Sequence, residues 1–371
     1  MPDHDAFPLR DPVGPADPAV VIPNVDVIAD VVATGAEDAD ALGVPRSTIE
    51  ALAMAGLHGA ALEPASAQRE LAELIAGSDA STWFCWAQHQ TPLRVLSGDG
   101  DGPGRAALQS ALLPGLRSGA LLAAVAFAHV RRPGPANPLA TRIAGGWRLE
   151  GSLDWVTSWD IADVVMVMAQ GAGDDTGRLV CGYLPAGRAD GALTGVRPGE
   201  PLRLLAMSGT HTRPVRLDGV VVPDSRVGAV LDRDAWLAAD AQTAASASPS
   251  AFGVARGAIA DLESLAVQRG DDDLLGLAMA LVEECRMVRG RAYAAMDDGV
   301  VADRLTWRAR SLDLVVRTTT AAVVARAGSA MRSGHPTERR VREAMFLQVQ
   351  AQTGPSRSAM LALMVRRATG A

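Results

Sequence analysis

Gly145-Gly146-Trp147-Arg148-Leu149-Glu150-Gly151-Ser152-Leu153-Asp154-Trp155-Val156-Thr157-Ser158 is the stretch on which the reading of this chain turns. The paired glycines supply the backbone freedom of a turn, and residues 147–149 then read as a β-type run. Similar runs cover 124–130, 164–168, 179–184 and 215–222, separated by the Gly145-Gly146, 171–177 and Pro198-Gly199 turns. Together they predict a compact antiparallel β-domain of roughly a hundred residues. Taken alone, Trp155 reads as a strand aromatic in a β-core, with Thr157 and Ser158 as surface hydroxyls.

On either side the period changes. Prolines 2, 8, 12, 15, 18 and 23 predict an irregular lead-in to about residue 24. Val25, Ile28, Val31 and Val32 then follow helical spacing, and Ser47-x-x-Glu50 predicts a capping box opening a helix over 49–57. A further helix is predicted over 67–76, another after Ser78-Asp79 carrying Trp83, Phe84 and Trp86, and a short one through Leu112. Beyond Val230 the pattern predicts helices over 233–242, 250–268, 274–297, 301–328, 336–352 and 355–367. The predicted organisation is α+β: an N-terminal helical domain over 1–120, a central antiparallel, barrel-like β-domain over 121–231 and a C-terminal helical bundle over 232–371.

Composition narrows the function. Of the 371 residues 48% are hydrophobic, enough for a large core, and the net charge of -7 argues against a whole-surface attraction to nucleic acid or to anionic membrane. All 35 basic residues are Arg, as a GC-rich genome favours, so Schiff-base and Walker-lysine chemistry are excluded. Cys85, Cys181 and Cys285 lie far apart without a CxxC pair, so no metal site or disulfide framework is expected. The N-terminal residues lack a secretory pattern, and the apolar stretch 119–130 is too short to span a bilayer, so a soluble, cytoplasmic protein is expected.

Three segments, in order, resemble the acyl-CoA dehydrogenase family. The first is the opening stretch with Ala162-Asp163-Val164 after it, the second is 212–228 (TRPVRLDGVVVPDSRVG), and the third is 335–344 (HPTERRVREA). The resemblance implies the helical–β–helical fold, FAD as cofactor, a homo-oligomer and small-molecule or acyl-thioester substrates. It implies that Trp155 packs by the flavin ring, with Thr157 donating to it and Ser158 beside them.

The chain also departs from that pattern. The resemblance places the usual catalytic Glu at Gly334, or in another branch at Thr243, and neither is acidic. The family's Arg for the flavin pyrophosphate has only Arg269 as counterpart, followed by Gly270-Asp271-Asp272-Asp273. Its Q-x-x-G-G reads Val324-Ala325-Arg326-Ala327-Gly328, and its T-E-P strand end reads Ala128-His129-Val130-Arg131-Arg132-Pro133. The flavin monooxygenases on the same fold dispense with the Glu and place His near the flavin. That resemblance makes His89 and His335 the candidate acid–base residues, while His4, His58 and His211 carry no motif.

Three functions follow as expectations. The leading one is an acyl-CoA dehydrogenase-like, FAD-dependent oxidoreductase with acyl-thioester or carrier-bound substrates, and an alternative is a monooxygenase using reduced flavin from a partner reductase. The third is a non-catalytic homologue, or one subunit of a mixed oligomer. A mostly apolar stripe of Leu312, Val315, Thr319 and Ala322 predicts assembly through the C-terminal helices.

Overall fold

The computed structural model describes residues 7–58, 64–132, 138–189, 193–298 and 300–370, so His4 and Pro133 lie outside the described residues. A π-helical turn, Ile28–Ala33, leads into α1 (Ala36–Leu42), α2 (Arg46–Met54), α3 (Ala65–Ser78), α4 (Ala80–Ser97) and α5 (Arg105–Ser118). The Ser47 capping box does not form. The helix starts two residues earlier, with Pro45 at the N-cap, and Glu50 accepts instead from Arg46 Nε at 2.7 Å. Asp79 caps α4 as a short acidic side chain should, accepting from Thr82 N–H at 2.7 Å.

The middle of the chain is one sheet of β1 (Ala123–Ala126), β2 (Leu139–Ile143), β3 (Gly146–Val156), β4 (Val164–Gly171), β5 (Arg178–Pro185), β6 (Val196–Pro198), β7 (Arg213–Pro223) and β8 (Val227–Asp232). The order is β6-β7-β3-β2-β4-β5-β8, with β1 also on β4; the sheet is antiparallel except where β4 meets β1 and β2. The strand expected over 124–130 stops at Ala126 and turns into a 3₁₀ segment. β4 is buried along its whole length because apolar side chains cover both faces. Val165, Val167 and Ala169 enter one core, and Val164, Met166 and Met168 enter another.

One irregularity in β3 matters for function. Leu149 and Leu153 face inward, so strict alternation would bury Trp155. A register shift against β7 between Leu153 and Val156 instead turns Val156 in and Trp155 out, leaving Trp155 half exposed.

Six helices follow: α6 (Arg233–Ala244), α7 (Pro249–Arg269), α8 (Asp272–Asp298), α9 (Val301–Arg326), α10 (Pro336–Leu347) and α11 (Gly354–Thr369). No helix among the described residues is long and apolar enough to cross a membrane. The stripe expected to drive assembly points inward: Leu312, Val315, Thr319 and Ala322 are all buried within the chain, because α9 packs on α7, α8, α10 and α11.

α7 crosses α3 closely. A Cβ on Gly257 would stand 2.6 Å from Gly77 O, and one on Gly253 would overlap the Glu73 carbonyl. Glycine at these positions lets Arg256, which is wholly buried, reach Glu73 Oε2 at 2.5 Å and Glu70 Oε1 at 2.7 Å, with Asp11 as third partner. Glu73 also accepts from Arg289 at 2.9 Å and from the Tyr293 hydroxyl at 2.5 Å. Burial pushes the Glu70 carboxyl up while Arg256 pulls it down. The third sequence motif ties α10 to the same helix end. Arg339 and Arg340 donate to Ser78 O at 2.8 Å and Gly77 O at 3.3 Å, cations at the negative end of α3.

Removing one partner of such a cluster leaves buried charge uncompensated. Arg256→Leu is therefore expected to lower the urea-unfolding free energy by about 3–5 kcal/mol, and Gly253→Ala to destabilise by forcing the helices apart. Near-wild-type unfolding curves for both would show that this crossing carries little of the stability.

Candidate functional site

A cleft of about 630 Å³ opens where the sheet, α4 and the end of α10 meet. Its size falls in the range of small-molecule sites. The end of β3 supplies Trp155 and Thr157; β1 and the turn after it supply Val125, Phe127 and Arg131. Phe84 and Gln88, four residues apart on α4, form a second wall. The lead-in to β7 adds Leu204, Leu205, Met207, Thr210 and Thr212, and the α10 end adds Met345, Phe346, Val349, Gln350 and Ala351. Phe84 and Phe346 meet edge to face at 5.1 Å.

The polar chemistry of this lining is sparse. Among the described residues it contains no Asp, Glu or His. Its one cation, Arg131, is held bidentately by Asp240 at 2.7 Å and 2.7 Å and lies over the Phe127 ring. Thr157, Thr212 and Thr210 form a chain of hydroxyls, with Oγ1 separations of 3.0 and 2.8 Å, and Thr210 donates to Met207 O at 2.7 Å.

Backbone strain gathers here. Met207 and Ala351, both lining residues, have φ of 63° and 50°; Ser158 and His211, each next in sequence to a lining threonine, have φ of 66° and 51°. Such conformations cost about 1–3 kcal/mol each in non-glycine residues and concentrate at functional sites. Behind the Gln350 turn Arg308 is buried, with no acidic partner among the described residues. It donates to Gln350 O at 2.7 Å and Ser246 O at 3.0 Å, just past the C-terminal ends of α10 and α6, so two helix dipoles stand in for a counter-ion.

Of the residues singled out from sequence, Trp155 and Thr157 share the cleft and the others do not line it. Ser158 is buried against the Cys85 side, its backbone N–H donating to Thr210 O at 2.8 Å. His89 is buried in the α4–β1 junction. Its Nε2 donates to Leu116 O at 2.9 Å and its Nδ1 accepts from Ala123 N–H at 3.0 Å, so neither nitrogen is free for acid–base work. Burial first, then the stacked His58 at 4.4 Å, push His89 down to about 3. His335 caps α10, its Nδ1 accepting from Thr337 N–H at 3.2 Å. Gly334 also lies away from the cleft. A Cβ there would stand 2.8 Å from Glu37 Oε1. Thr243 is on α6, bonded to Ala239 O, and Arg269 bonds Ala325 O, bringing the two altered phosphate motifs together outside the cleft.

Sequence reasoning missed Phe84 and Gln88 as site residues, along with the Met207–Thr212 segment. The latter has no periodicity; its one local signal is the small polar run Ser208-Gly209-Thr210.

No protein-family model and no curated protein matches the chain. Its fold is that of the acyl-CoA dehydrogenases and of monooxygenases built on the same frame. It is similar to butyryl-CoA dehydrogenase from Megasphaera elsdenii, with 17% identity and a TM-score of 0.71 over 94% of this chain and 100% of that one. It is similar to nitrososynthase from Micromonospora carbonacea var. africana, with 20% identity and a TM-score of 0.73 over 96% and 99%. It is also similar to a dibenzothiophene monooxygenase from a Paenibacillus species, with 14% identity and a TM-score of 0.72 over 92% and 97%.

The paired histidines generate a pH prediction. Burial pushes His58 down to about 4, and His89 lies lower, while in the unfolded chain both titrate near 6.5. Below pH 6.5 the unfolded chain takes up protons that the fold excludes, so this stability is full above 6.5 and is lost as pH falls towards 4. The slope is about 1.4 kcal/mol per pH unit for each histidine. Glu343, which burial pushes up to about 7, titrates in the opposite sense, so the comparison must be between variants. His58→Phe should lose less stability than wild type between pH 6.5 and 5 in urea titrations; equal losses would mean His58 titrates normally in the fold.

Proposed function

We propose that the protein is a flavin-dependent oxidoreductase of the monooxygenase type, acting with reduced flavin and dioxygen on a small, largely apolar substrate. The observation that carries this reading is the cleft lining: a half-exposed Trp155 face beside the Thr157 hydroxyl, with no carboxylate and no imidazole among the described lining residues. Abstraction of an α-proton from an acyl thioester needs a positioned base, and this lining offers none.

The lining suits the ring of FAD better than its phosphates. Trp155 presents a planar apolar face, and the threonine hydroxyls offer hydrogen bonds at one edge. Bound there, flavin supplies the electron chemistry that no side chain of the cleft can. The chain's own residues do the rest. Phe84, Phe127, Met207, Met345 and Phe346 take the substrate's apolar surface and keep water out, while Gln88 and Gln350 offer neutral polar contacts for orientation. For the pyrophosphate the described lining residues offer only Arg131, already committed to Asp240. A weak hold on the phosphates agrees with flavin arriving reduced from a separate reductase and leaving again.

The experiment is a pair of assays on the wild-type protein. Butyryl-CoA with an artificial electron acceptor should give no turnover above background, because a positioned base is worth about 10²–10⁴-fold. Photoreduced FAD with oxygen and a panel of neutral aromatic compounds should give oxygenated product, reduced at least tenfold or so in Trp155→Ala. Sustained turnover of butyryl-CoA would overturn the reading.

A further inference from the structure

Two carboxylates are buried around one guanidinium where α10 meets the α3–α4 junction. Glu343 of α10 and Asp79 at the junction are 3% and 0% exposed. Arg339 Nε stands 3.3 Å from Glu343 Oε1 and 3.9 Å from Asp79 Oδ1. The other charges packed around them are already paired: Arg340 with Asp261 of α7, and Arg342 with Asp40 of α1 and with Glu338. α9 shares an apolar core with α10 that contains Leu312, Val315, Ala344 and Leu347. His335 caps the far end of α10, about 12 Å along the helix. The junction thus encloses two acids and one cation left to balance them. We propose that Glu343 is a neutral carboxylic acid in the folded protein, that it donates its hydrogen to Asp79, and that this shared proton is a latch fastening α10 to the start of α4.

The hydrogen bonds at the junction decide which acid holds the proton. Asp79 Oδ2 accepts from Thr82 N–H at 2.7 Å and caps the positive end of α4, so Asp79 keeps its charge. Its Oδ1 is buried and accepts no hydrogen bond from the described residues, and Arg339 Nε at 3.9 Å is beyond hydrogen-bond reach. A buried acceptor without a donor is costly, and an O–H on Glu343 is the donor that satisfies it. Glu343 Oε1 accepts from Ala80 N–H at 3.2 Å, so the side chain already lies at the first turn of α4. Burial pushes the Glu343 carboxyl up to about 7 against the pull of Arg339, and the Asp79 charge adds to the rise. In the unfolded chain the same carboxyl titrates near 4.5. Between those values the fold holds a proton that the unfolded chain has released. The stabilisation from the latch is therefore complete below 4.5 and is lost as pH rises through 7. Since α4 carries Phe84 and α10 carries Phe346, the proton joins the two helical walls of the cleft whatever the cleft binds.

The test is a pH titration of the full-length protein labelled with ¹³C at the glutamate side-chain carboxyls, read by NMR. One resonance should titrate near 7 and be missing in Glu343→Gln. In Asp79→Asn, which keeps a good helix cap, the same resonance should titrate at least about one pH unit lower, because the neighbouring charge is gone. That shift assigns the resonance even if Glu343→Gln does not fold. Urea unfolding supplies the second readout. Glu343→Gln keeps the latch at every pH, since its amide N–H donates to Asp79. Between about pH 5 and 7 the unfolding constant of wild type should therefore rise at least about tenfold more than that of Glu343→Gln. A Glu343 carboxyl already ionised at about pH 5.5 overturns the proposal. A resonance near 7 that does not move in Asp79→Asn overturns the sharing of the proton, and matched pH slopes for wild type and Glu343→Gln overturn the latch.

Discussion

The buried pairing of Arg256 with Glu73, at a helix crossing that only glycine permits, is the interaction on which the rest of the structure depends. A guanidinium with no solvent contact is tolerable only if carboxylates meet it at hydrogen-bond distance, and those carboxylates come from α3 and the N-terminal segment. Gly77, Gly253 and Gly257 remove the side chains that would hold the two backbones apart. α3 continues through Asp79 into α4, which carries Phe84 and Gln88 into the cleft. α10, which carries Met345 and Phe346, is clamped by Arg339 and Arg340 to the last carbonyls of α3. Both helical walls of the cleft are thus referred to one helix end, and that end is fixed by the charge cluster beside it.

Much of this frame was legible in the sequence, because long amphipathic runs and Gly/Pro breaks are strong local signals. The helix read over 250–268 is Pro249–Arg269, and the one read over 274–297 is Asp272–Asp298. Single residues failed where a distant partner outweighed the local signal. Ser47-x-x-Glu50 has the spacing of a cap, but Arg46 captured Glu50 and Pro45 took the N-cap position. The stripe from Leu312 to Ala322 looked spare because the sequence does not say how many neighbours a helix has. The third motif carries the family resemblance, and in the fold its Arg339 and Arg340 bond the last carbonyls of α3.

The site was legible in part for the same reason. Trp155 and Thr157 face the cleft because a register shift redirects β3, and nothing in the run from Leu153 to Val156 announces that shift. His89 lay in a plausible helix context, but only the fold shows Leu116 O and Ala123 N–H occupying its two nitrogens. Gly334, where the resemblance places the usual acid, is not among the residues that line the cleft. The strain at Met207 and Ala351 is a better marker than any of these, since a non-glycine residue keeps a left-handed backbone only when its surroundings require it.

The distribution of acids completes the argument about chemistry. Carboxylates stand close behind the cleft, but each is already committed to architecture. Glu343 pairs with Arg339 at 3.3 Å and accepts from Ala80 N–H at 3.2 Å, Asp79 caps α4, and Asp240 holds Arg131. Recruiting any of them as a base would unfasten a wall of the site it was meant to serve. What remains facing the cleft among the described residues is a set of apolar side chains, two amides, the Asp240-bound Arg131 and a chain of threonine hydroxyls. Such a surface can position a ligand by shape and apolar contact, but its described side chains offer no acid or base to react with it.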